Sequence, residues 1–202
     1  MGKVFDSYET RKVAALASQI AGEGYTAVGC YYFNHSQIKD LLTYPLARTI
    51  AQHLYLFSIY ENGSPTTDQY FSASKGFFDG KIAVMCAQNA HQPKDSCVYA
   101  TCDYDAPESA LPAIKVYLAA FRKELIAAGY KVGIYGSGLV CRACKEAGLV
   151  EYTFLSQSTG FPGYQEWLPY ADIIQGPEIH LLGLDIDTGT TKPTGAGGWK
   201  PA

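Results

Sequence analysis

The sequence predicts an α/β fold, a single (β/α)8 TIM-type barrel with shortened or missing helices in its C-terminal part. Three observations carry this expectation. Strand-like and helix-like segments alternate almost from end to end, and such alternation implies parallel neighbouring strands. Eight strand-like segments fit within 202 residues, which favours a closed cylinder over an open sheet. No linker, composition shift or low-complexity stretch divides the chain, so residues 1–202 are read as one domain. A chain this short must economise on its last helices.

The elements follow in order. Lys3–Asp6 is a short apolar strand stopping at Asp6. Arg11–Ala21 is a helix with Val13, Leu16, Ala17 and Ile20 at helical spacing, ended by Gly22 and Gly24. Tyr25–Phe33 is a β-branched and aromatic strand. Pro45–Tyr55 reads as a helix with proline in its first turn. Leu56–Glu61 is a strand closed by the turn residues Asn62-Gly63-Ser64-Pro65. Gln69–Ala90 reads as one helix with Phe71, Phe78, Ile82 and Met85 on its apolar side. Cys97–Asp105 is a strand broken by Ala106-Pro107. Ala110–Ala128 is the clearest helix, with Ile114, Tyr117, Leu118, Phe121 and Leu125 forming its stripe. Gly129 ends it; Tyr130–Tyr135 is a strand, Leu139–Ala147 a short helix, and Tyr152–Ser156 the sixth strand. A Gly/Pro loop, a short helix at Tyr164–Pro169, and strands at Ala171–Gln175 and Leu181–Asp187 complete the set.

Composition narrows the function classes. Hydrophobic residues at 48% against charged residues at 17% support one large core and exclude a disordered chain. A net charge of −3 gives no electrostatic reason for a nucleic-acid partner. No apolar run is long enough for a transmembrane segment. Met1–Glu9 lacks the basic region and apolar core of a signal peptide. The six cysteines (Cys30, Cys86, Cys97, Cys102, Cys141, Cys144) lack the spacing of a small disulfide scaffold, and four fall in apolar runs that suit buried thiols. Cys141-Arg-Ala-Cys144 has no second pair to complete a zinc site. His35, His53, His91 and His180 show no metal-type pairing, so neither metal nor cofactor is expected. Gly136-Ser137-Gly138 is not a nucleophile elbow, and Gly195-Ala196-Gly197-Gly198 has no helix after it to cradle phosphate.

Barrels of this type place their chemistry at the C-terminal ends of the strands. Those ends carry Asp6, Glu61, Asp103 with Asp105, Tyr135, Gln157, Gln175, and Asp185 with Asp187. Six of the 19 acidic residues thus fall at four strand ends. Residues two apart on a strand share a face, so Asp103 and Asp105 should point together, as should Asp185 and Asp187. Carboxylates held together raise one another's proton affinity, so one can stay protonated while its neighbour is charged. A single such aspartate can equally cap a helix or occupy a turn, as Asp6 before Ser7 and Asp105 before Ala106-Pro107 could. The cluster is the signal.

The same residues carry a likeness. Gly24-Tyr25-Thr26-Ala27-Val28-Gly29, Leu56-Phe57-Ser58-Ile59-Tyr60-Glu61, Cys102-Asp103-Tyr104-Asp105 and Gly133-Ile134-Tyr135-Gly136-Ser137-Gly138 resemble, in that order, the bacterial glycoside-hydrolase-like domain family. Leu155-Ser156-Gln157-Ser158, Asp172-Ile173-Ile174-Gln175, Asp185-Ile186-Asp187 and Gly197-Gly198-Trp199 continue the likeness over nearly the whole chain. That family is similar in fold to the Chalaropsis-type lysozymes of glycoside hydrolase family 25, which cleave the β-1,4 bond between N-acetylmuramic acid and N-acetylglucosamine. The resemblance implies that Asp6 matches the acidic residue closing their first strand. It also implies that Asp103 and Asp105 match their strand-four Asp-x-Glu pair, with Asp105 one methylene shorter than the acid it replaces.

The expected function is therefore a peptidoglycan hydrolase of lysozyme type. Asp105 or Glu61 would be the proton donor. Asp103 would orient the 2-acetamido group or stabilise positive charge, and Asp6 and Asp185 would assist. Tyr104, Tyr135, Gln157, Trp167, Gln175 and Asp187 are the candidate substrate-binding residues, the aromatic ones by stacking on sugar rings. Two alternatives stand beside it. One is a non-catalytic glycan-binding module on a decayed hydrolase barrel. The other is a chitinase-like enzyme, whose strand-four motif would need acids where Ala100 and Pro107 stand. The expected partner is peptidoglycan or a related amino-sugar glycan, with an export machine or an inhibitor protein as candidate protein partners and a monomer as the working state. A wall substrate would require a protein made in the cytoplasm to act in the periplasm or outside the cell, through signal-independent export.

Overall fold

Eight strands close into a barrel whose spatial order is the order of the chain: β1 (Gly2–Asp6), β2 (Tyr25–Tyr31), β3 (Tyr55–Tyr60), β4 (Cys97–Thr101), β5 (Lys131–Gly136), β6 (Tyr152–Leu155), β7 (Ile173–Leu181) and β8 (Leu184–Thr191). The computed structural model describes residues 2–32, 40–192 and 195–201. Phe33, at the end of the expected second strand, and His35 lie outside the described residues. Helices α1 (Thr10–Gly22), α2 (Tyr44–Ile50), α3 (Ala73–Asn89), α4 (Leu111–Ala127), α5 (Gly138–Glu146) and α6 (Tyr164–Trp167) follow the first six strands. The barrel with a helix-poor C-terminal part is as expected.

The direction of the last strand is not. β1 to β7 are parallel, but β8 runs antiparallel to both β7 and β1. β7 and β8 form a hairpin turning through Leu182 and Gly183, whose φ angles of 53° and 82° are both left-handed, the geometry a two-residue hairpin needs. Such a turn leaves no room for a crossover helix, so the economy expected of a short chain is achieved by reversing the strand.

Two further readings are corrected. β4 stops at Thr101, so Cys102-Asp103-Tyr104-Asp105 is a loop, and strand alternation does not bring Asp103 and Asp105 onto one face. Gln69–Ala90 is also not one helix. A 3-10 turn at Asp68–Tyr70 precedes an extended Phe71, and α3 starts behind Ser72, whose Oγ accepts the Lys75 N–H at 3.2 Å. Its buried face is Gly76, Asp79, Gly80, Ala83 and Ala87, while Phe78 and Met85 are 61% and 53% exposed. The small residues are dictated by α4. A Cβ on Gly76 would stand 2.1 Å from the Tyr117 carbonyl oxygen. The expected α4 stripe is buried in full, from Ile114 to Leu125.

Strand alternation divides the apolar interior in two. Outward residues such as Val28, Leu56, Val98, Ala100, Val132 and Ile134 pack against the helices. Inward residues Val4, Phe57, Ile59, Tyr99, Phe154 and Ile173 fill the cylinder. The rings fit because glycines face them: a Cβ on Gly133 would meet the Tyr99 ring at 2.4 Å. The segment after β8 closes the lower end. Ala196 is buried there, its carbonyl accepting the Tyr99 hydroxyl at 2.7 Å, and Trp199 exchanges backbone hydrogen bonds with Leu56.

Burial pushes the phenols of Tyr32, Tyr99 and Tyr117 well above their ordinary value of 10.0. A raised pKa in the folded chain means that the unfolded chain loses protons first. The stabilisation is complete below about pH 10 and is lost as the pH climbs from there toward the folded-state values. Melting temperature should therefore fall steeply above pH 10, with phenolate absorbance from these side chains appearing in step with loss of the far-ultraviolet dichroism. Free titration of every tyrosine near 10 before unfolding would contradict this burial.

Candidate functional site

At the C-terminal mouth of the parallel strands the inward face turns polar. A pocket of about 140 Å³ opens there, lined by Asp6, Tyr31, Glu61, Thr101, Asp103, Tyr135, Gln175 and Asp187 over a floor of Ile59 and Phe154. Asp6 is the last residue of β1, only 3% exposed, and stands directly opposite Asp187 in the antiparallel register. Gly29 is its neighbour on β2. A Cβ there would come within 2.7 Å of the Asp6 Cβ and 2.5 Å of the Phe57 ring, so glycine at this register clears the seat of both. Glu61 follows β3 and is half-buried; Asp103 lies two residues past β4 and is exposed. The Asp103 N–H donates to the Pro65 carbonyl at 2.9 Å, tying its loop to the one after β3.

A chain of hydrogen bonds crosses the pocket. Tyr31 Oη donates to Asp6 Oδ1 at 3.1 Å, and Gln175 Nε2 donates to Asp6 Oδ2 at 3.4 Å. Gln175 Oε1 accepts from Tyr135 Oη at 3.0 Å and from the Gln157 N–H at 3.2 Å. A backbone N–H can only donate, so the Gln157 contact orients the Gln175 amide with its NH2 toward Asp6. Burial, reinforced by the nearby carboxylates, raises the phenols of Tyr31 and Tyr135 far above the ordinary tyrosine value. Both are hydroxyl donors at neutral pH.

The structure thus gathers Asp6, Glu61, Asp103, Tyr135, Gln175 and Asp187 from the expected set. Asp187 arrives by an unexpected route: because β8 is reversed, the mouth receives a residue from its first half. Asp185 lies two residues farther out along the hairpin, where it meets His180 Nδ1 at 2.8 Å, outside the pocket. Asp105 is exposed beyond the end of β4. The Tyr104 hydroxyl donates to Asp68 at 2.6 Å while its ring stacks on Phe71. Trp167 packs on the helix-side core, with Nε1 donating to Thr153 Oγ1 at 3.2 Å. Gln157 contributes its backbone N–H, its side chain being exposed. Tyr31 and Thr101 were missed. Alternation gives the signal for both, Tyr31 standing two residues after Gly29 and Thr101 two before Asp103.

A larger cavity of about 370 Å³ lies at the opposite end of the barrel, lined by Val4, Ala27, Phe57, Ile173 and Ala196 among others. No carboxylate, histidine or cysteine lines it among the described residues, whereas four carboxylates line the smaller pocket. Among the described residues no three His, Cys, Asp or Glu side chains are grouped to hold a metal ion.

Known proteins share the family and the fold. Residues 18–200 match the family model described as Rv2525c-like, glycoside hydrolase-like domain. YbfG of Bacillus subtilis strain 168, an uncharacterised protein, is 29% identical over 165 residues, covering 74% of this chain and 22% of YbfG. FadG of the same strain, also uncharacterised, is 27% identical over 164 residues, covering 76% of this chain and 28% of FadG. The chain therefore spans about a quarter of the length of these curated relatives. The crystal structure of the Mycobacterium tuberculosis Tat-secreted protein Rv2525c in complex with L-tartrate superposes with a TM-score of 0.81 at 20% identity, covering 98% of both chains. A Bacillus stearothermophilus protein of known structure gives 0.69 at 17% identity, covering 96% of this chain and 97% of that one.

Gly29→Ala should cost about 1–3 kcal/mol, the usual effect of overpacking a full core, because neither Phe57 nor Asp6 can retreat. Gly22→Ala, at a helical glycine with nothing within 4 Å of the added methyl, should gain about 0.5–1 kcal/mol from helix propensity. Urea midpoints measure both, and a Gly29 variant as stable as wild type would mean that the seat of Asp6 is loose.

Proposed function

The chain belongs to the Rv2525c-like family of glycoside hydrolase-like domains, and from that premise we propose that it hydrolyses the bond between N-acetylmuramic acid and N-acetylglucosamine in peptidoglycan. One observation carries the reading: Asp6, Glu61, Asp103 and Asp187 converge from four strands on one pocket that also holds Tyr31, Tyr135 and Gln175. Glycoside cleavage needs one carboxyl group that gives up a proton beside others that stay charged.

The surroundings assign the parts. Asp6 is buried and accepts from Tyr31 and Gln175, one on each oxygen, and hydrogen bonds to the charged form favour it. It serves as the fixed anion that stabilises positive charge growing at the anomeric carbon, with Asp187 beside it. Glu61 and Asp103 stand at the rim, within reach of solvent. Glu61 donates its proton to the leaving oxygen, since Asp105 lies outside the pocket. Asp103 accepts the N–H of the 2-acetamido group, whose carbonyl oxygen attacks the anomeric carbon as the glycosidic bond breaks. Water then adds to the anomeric carbon, the carbonyl oxygen leaves, and the Glu61 carboxylate takes the water's proton. The Tyr135 and Phe154 rings, 5.0 Å apart and edge to face, form the apolar side against which a sugar packs. A wall substrate places the work outside the cytoplasm, and the similar protein Rv2525c is itself Tat-secreted. Among the described residues no helix is long and apolar enough to cross a membrane.

A second reading, glycan binding without cleavage, is favoured by the position of Asp105, which leaves Asp103 as the single carboxylate that β4 and its loop present to the pocket. Incubation with purified sacculi separates the two. Hydrolysis predicts soluble muropeptides from wild type, and a loss of about 10²-fold or more in Glu61→Gln, the ordinary worth of a general acid. Asp103→Asn should fall comparably, while Asp105→Asn and Asp185→Asn stay near wild type. Release that survives in both Glu61→Gln and Asp103→Asn would sink this assignment of the site; tight binding with no release from wild type would establish the second reading.

A further inference from the structure

We propose that Asp79, on the helix side of the sheet, is a positioning residue for Glu61, acting through the two residues that flank Glu61 in the chain. The inference rests on Glu61 being the proton donor of the hydrolase described above.

Asp79 is a carboxylate with 0% exposure on the buried face of α3. Its Oδ1 accepts from Tyr60 Oη at 3.0 Å, Asn62 Nδ2 at 2.9 Å and Lys75 Nζ at 2.6 Å. Its Oδ2 accepts from Tyr70 Oη at 2.9 Å, Tyr117 Oη at 3.0 Å and Lys75 Nζ at 2.9 Å. Lys75 lies one turn earlier on α3 and Tyr117 lies on α4. The other three donors belong to residues 60–70, the segment that ends β3 and contributes Glu61 to the pocket.

Strand alternation makes the arrangement directional. Tyr60 and Asn62 point outward to Asp79, so Glu61 between them points inward, where it lines the pocket. Hydrogen-bonding both neighbours to one immobile carboxylate fixes the backbone on either side of Glu61. The same loop is held to the next strand end by the Asp103 N–H on Pro65 and by Thr101 Oγ1 on the Tyr60 carbonyl at 3.3 Å. An apolar cluster would fill the space between α3, α4 and β3 with less desolvation. It would not set the direction of the loop, which a fully satisfied polar network does.

The test uses the full chain, comparing Asp79→Asn with wild type and with both on a Glu61→Gln background. Asparagine keeps the shape but loses the charge opposite Lys75 and the acceptor shared by Tyr70 and Tyr117, and the oxygen left for Tyr60 and Asn62 is neutral, so both tethers weaken. Muropeptide release should show kcat falling about tenfold or more with KM nearly unchanged, as expected when a reacting group is displaced rather than substrate binding weakened. On the Glu61→Gln background the same substitution should cost nothing further, because the residue it positions is gone. Hydrogen exchange should quicken at the amides of residues 60–66 and stay unchanged in β5. An equal loss of kcat on both backgrounds, or unchanged kcat and exchange, would overturn the proposal. If Asp79→Asn does not fold, Asn62→Ala removes one of the two tethers and is read in the same way. If wild type releases no muropeptides, the hydrolase reading fails. The exchange comparison then decides positioning alone: unchanged exchange at 60–66 refutes it, and local quickening upholds it.

Discussion

The molecule depends on how its cylinder is closed. Seven parallel strands leave two unlike edges, β1 and β7, and β8 satisfies both by running against each. The β6–β7 seam is narrow, with only Phe154↔Ile173 and Leu155↔Ile174 in register. Beyond it β7 leaves the barrel and pairs only with β8, after an irregularity between Gln175 and Glu178. Gln175 sits at that departure point. No β6 partner takes its place in the ladder, and the Gln157 N–H bonds to its side chain instead. Parallel β7 thus brings Gln175 to the mouth, and the reversal that saves a helix adds Asp187 from β8.

Filling the cylinder sets the electrostatics of the site. Large inward rings occupy the middle layer because glycines at facing registers yield their space, Gly29 to Phe57 and Gly133 to Tyr99. One layer higher every described inward residue is polar, yet its floor is Ile59 and Phe154. Ionised groups over an apolar floor are poorly solvated from below and must find donors from the side. Tyr31 and the Gln175 amide are those donors to Asp6, Tyr135 holds the Gln175 oxygen, and burial keeps both phenols protonated.

Much of this was legible in the sequence. The order of strands and the carboxylates at Asp6, Glu61 and Asp103 followed from where apolar runs stop. Strand direction was not legible, because a period of two is the same read either way; Leu182-Gly183, which turns the hairpin, fell inside the last expected strand, and the seventh strand, expected to stop at Gln175, runs on to Leu181. Asp105 was misplaced because Cys102 to Asp105 keeps an alternating pattern after β4 has ended at Thr101. The face of α3 was misread because hydrophobicity points to Phe78 and Met85, whereas α4 approaches too closely for anything but glycine and alanine. Tyr31 looked like one more aromatic of a buried strand, although its place two residues after Gly29 puts it on the inward face.

The two most buried carboxylates near the mouth lie on opposite faces of the sheet and obey one rule. Asp6 inside the barrel and Asp79 outside it are each held by tyrosine hydroxyls. Burial drives those hydroxyls to keep their protons: Tyr31 beside Asp6, and Tyr60, Tyr70 and Tyr117 around Asp79, all lie well above the ordinary value. Each of these two buried acceptors is thus surrounded by hydroxyl donors that keep their protons. Glu61 and Asp103, by contrast, stand where water reaches them, one half-buried and one exposed. Buried acceptors below and behind, with solvent-reached carboxyl groups at the rim, follow from how deeply Asp6 is sunk at the end of β1 and Asp79 is covered by α4, while Glu61 and Asp103 stand beyond their strands.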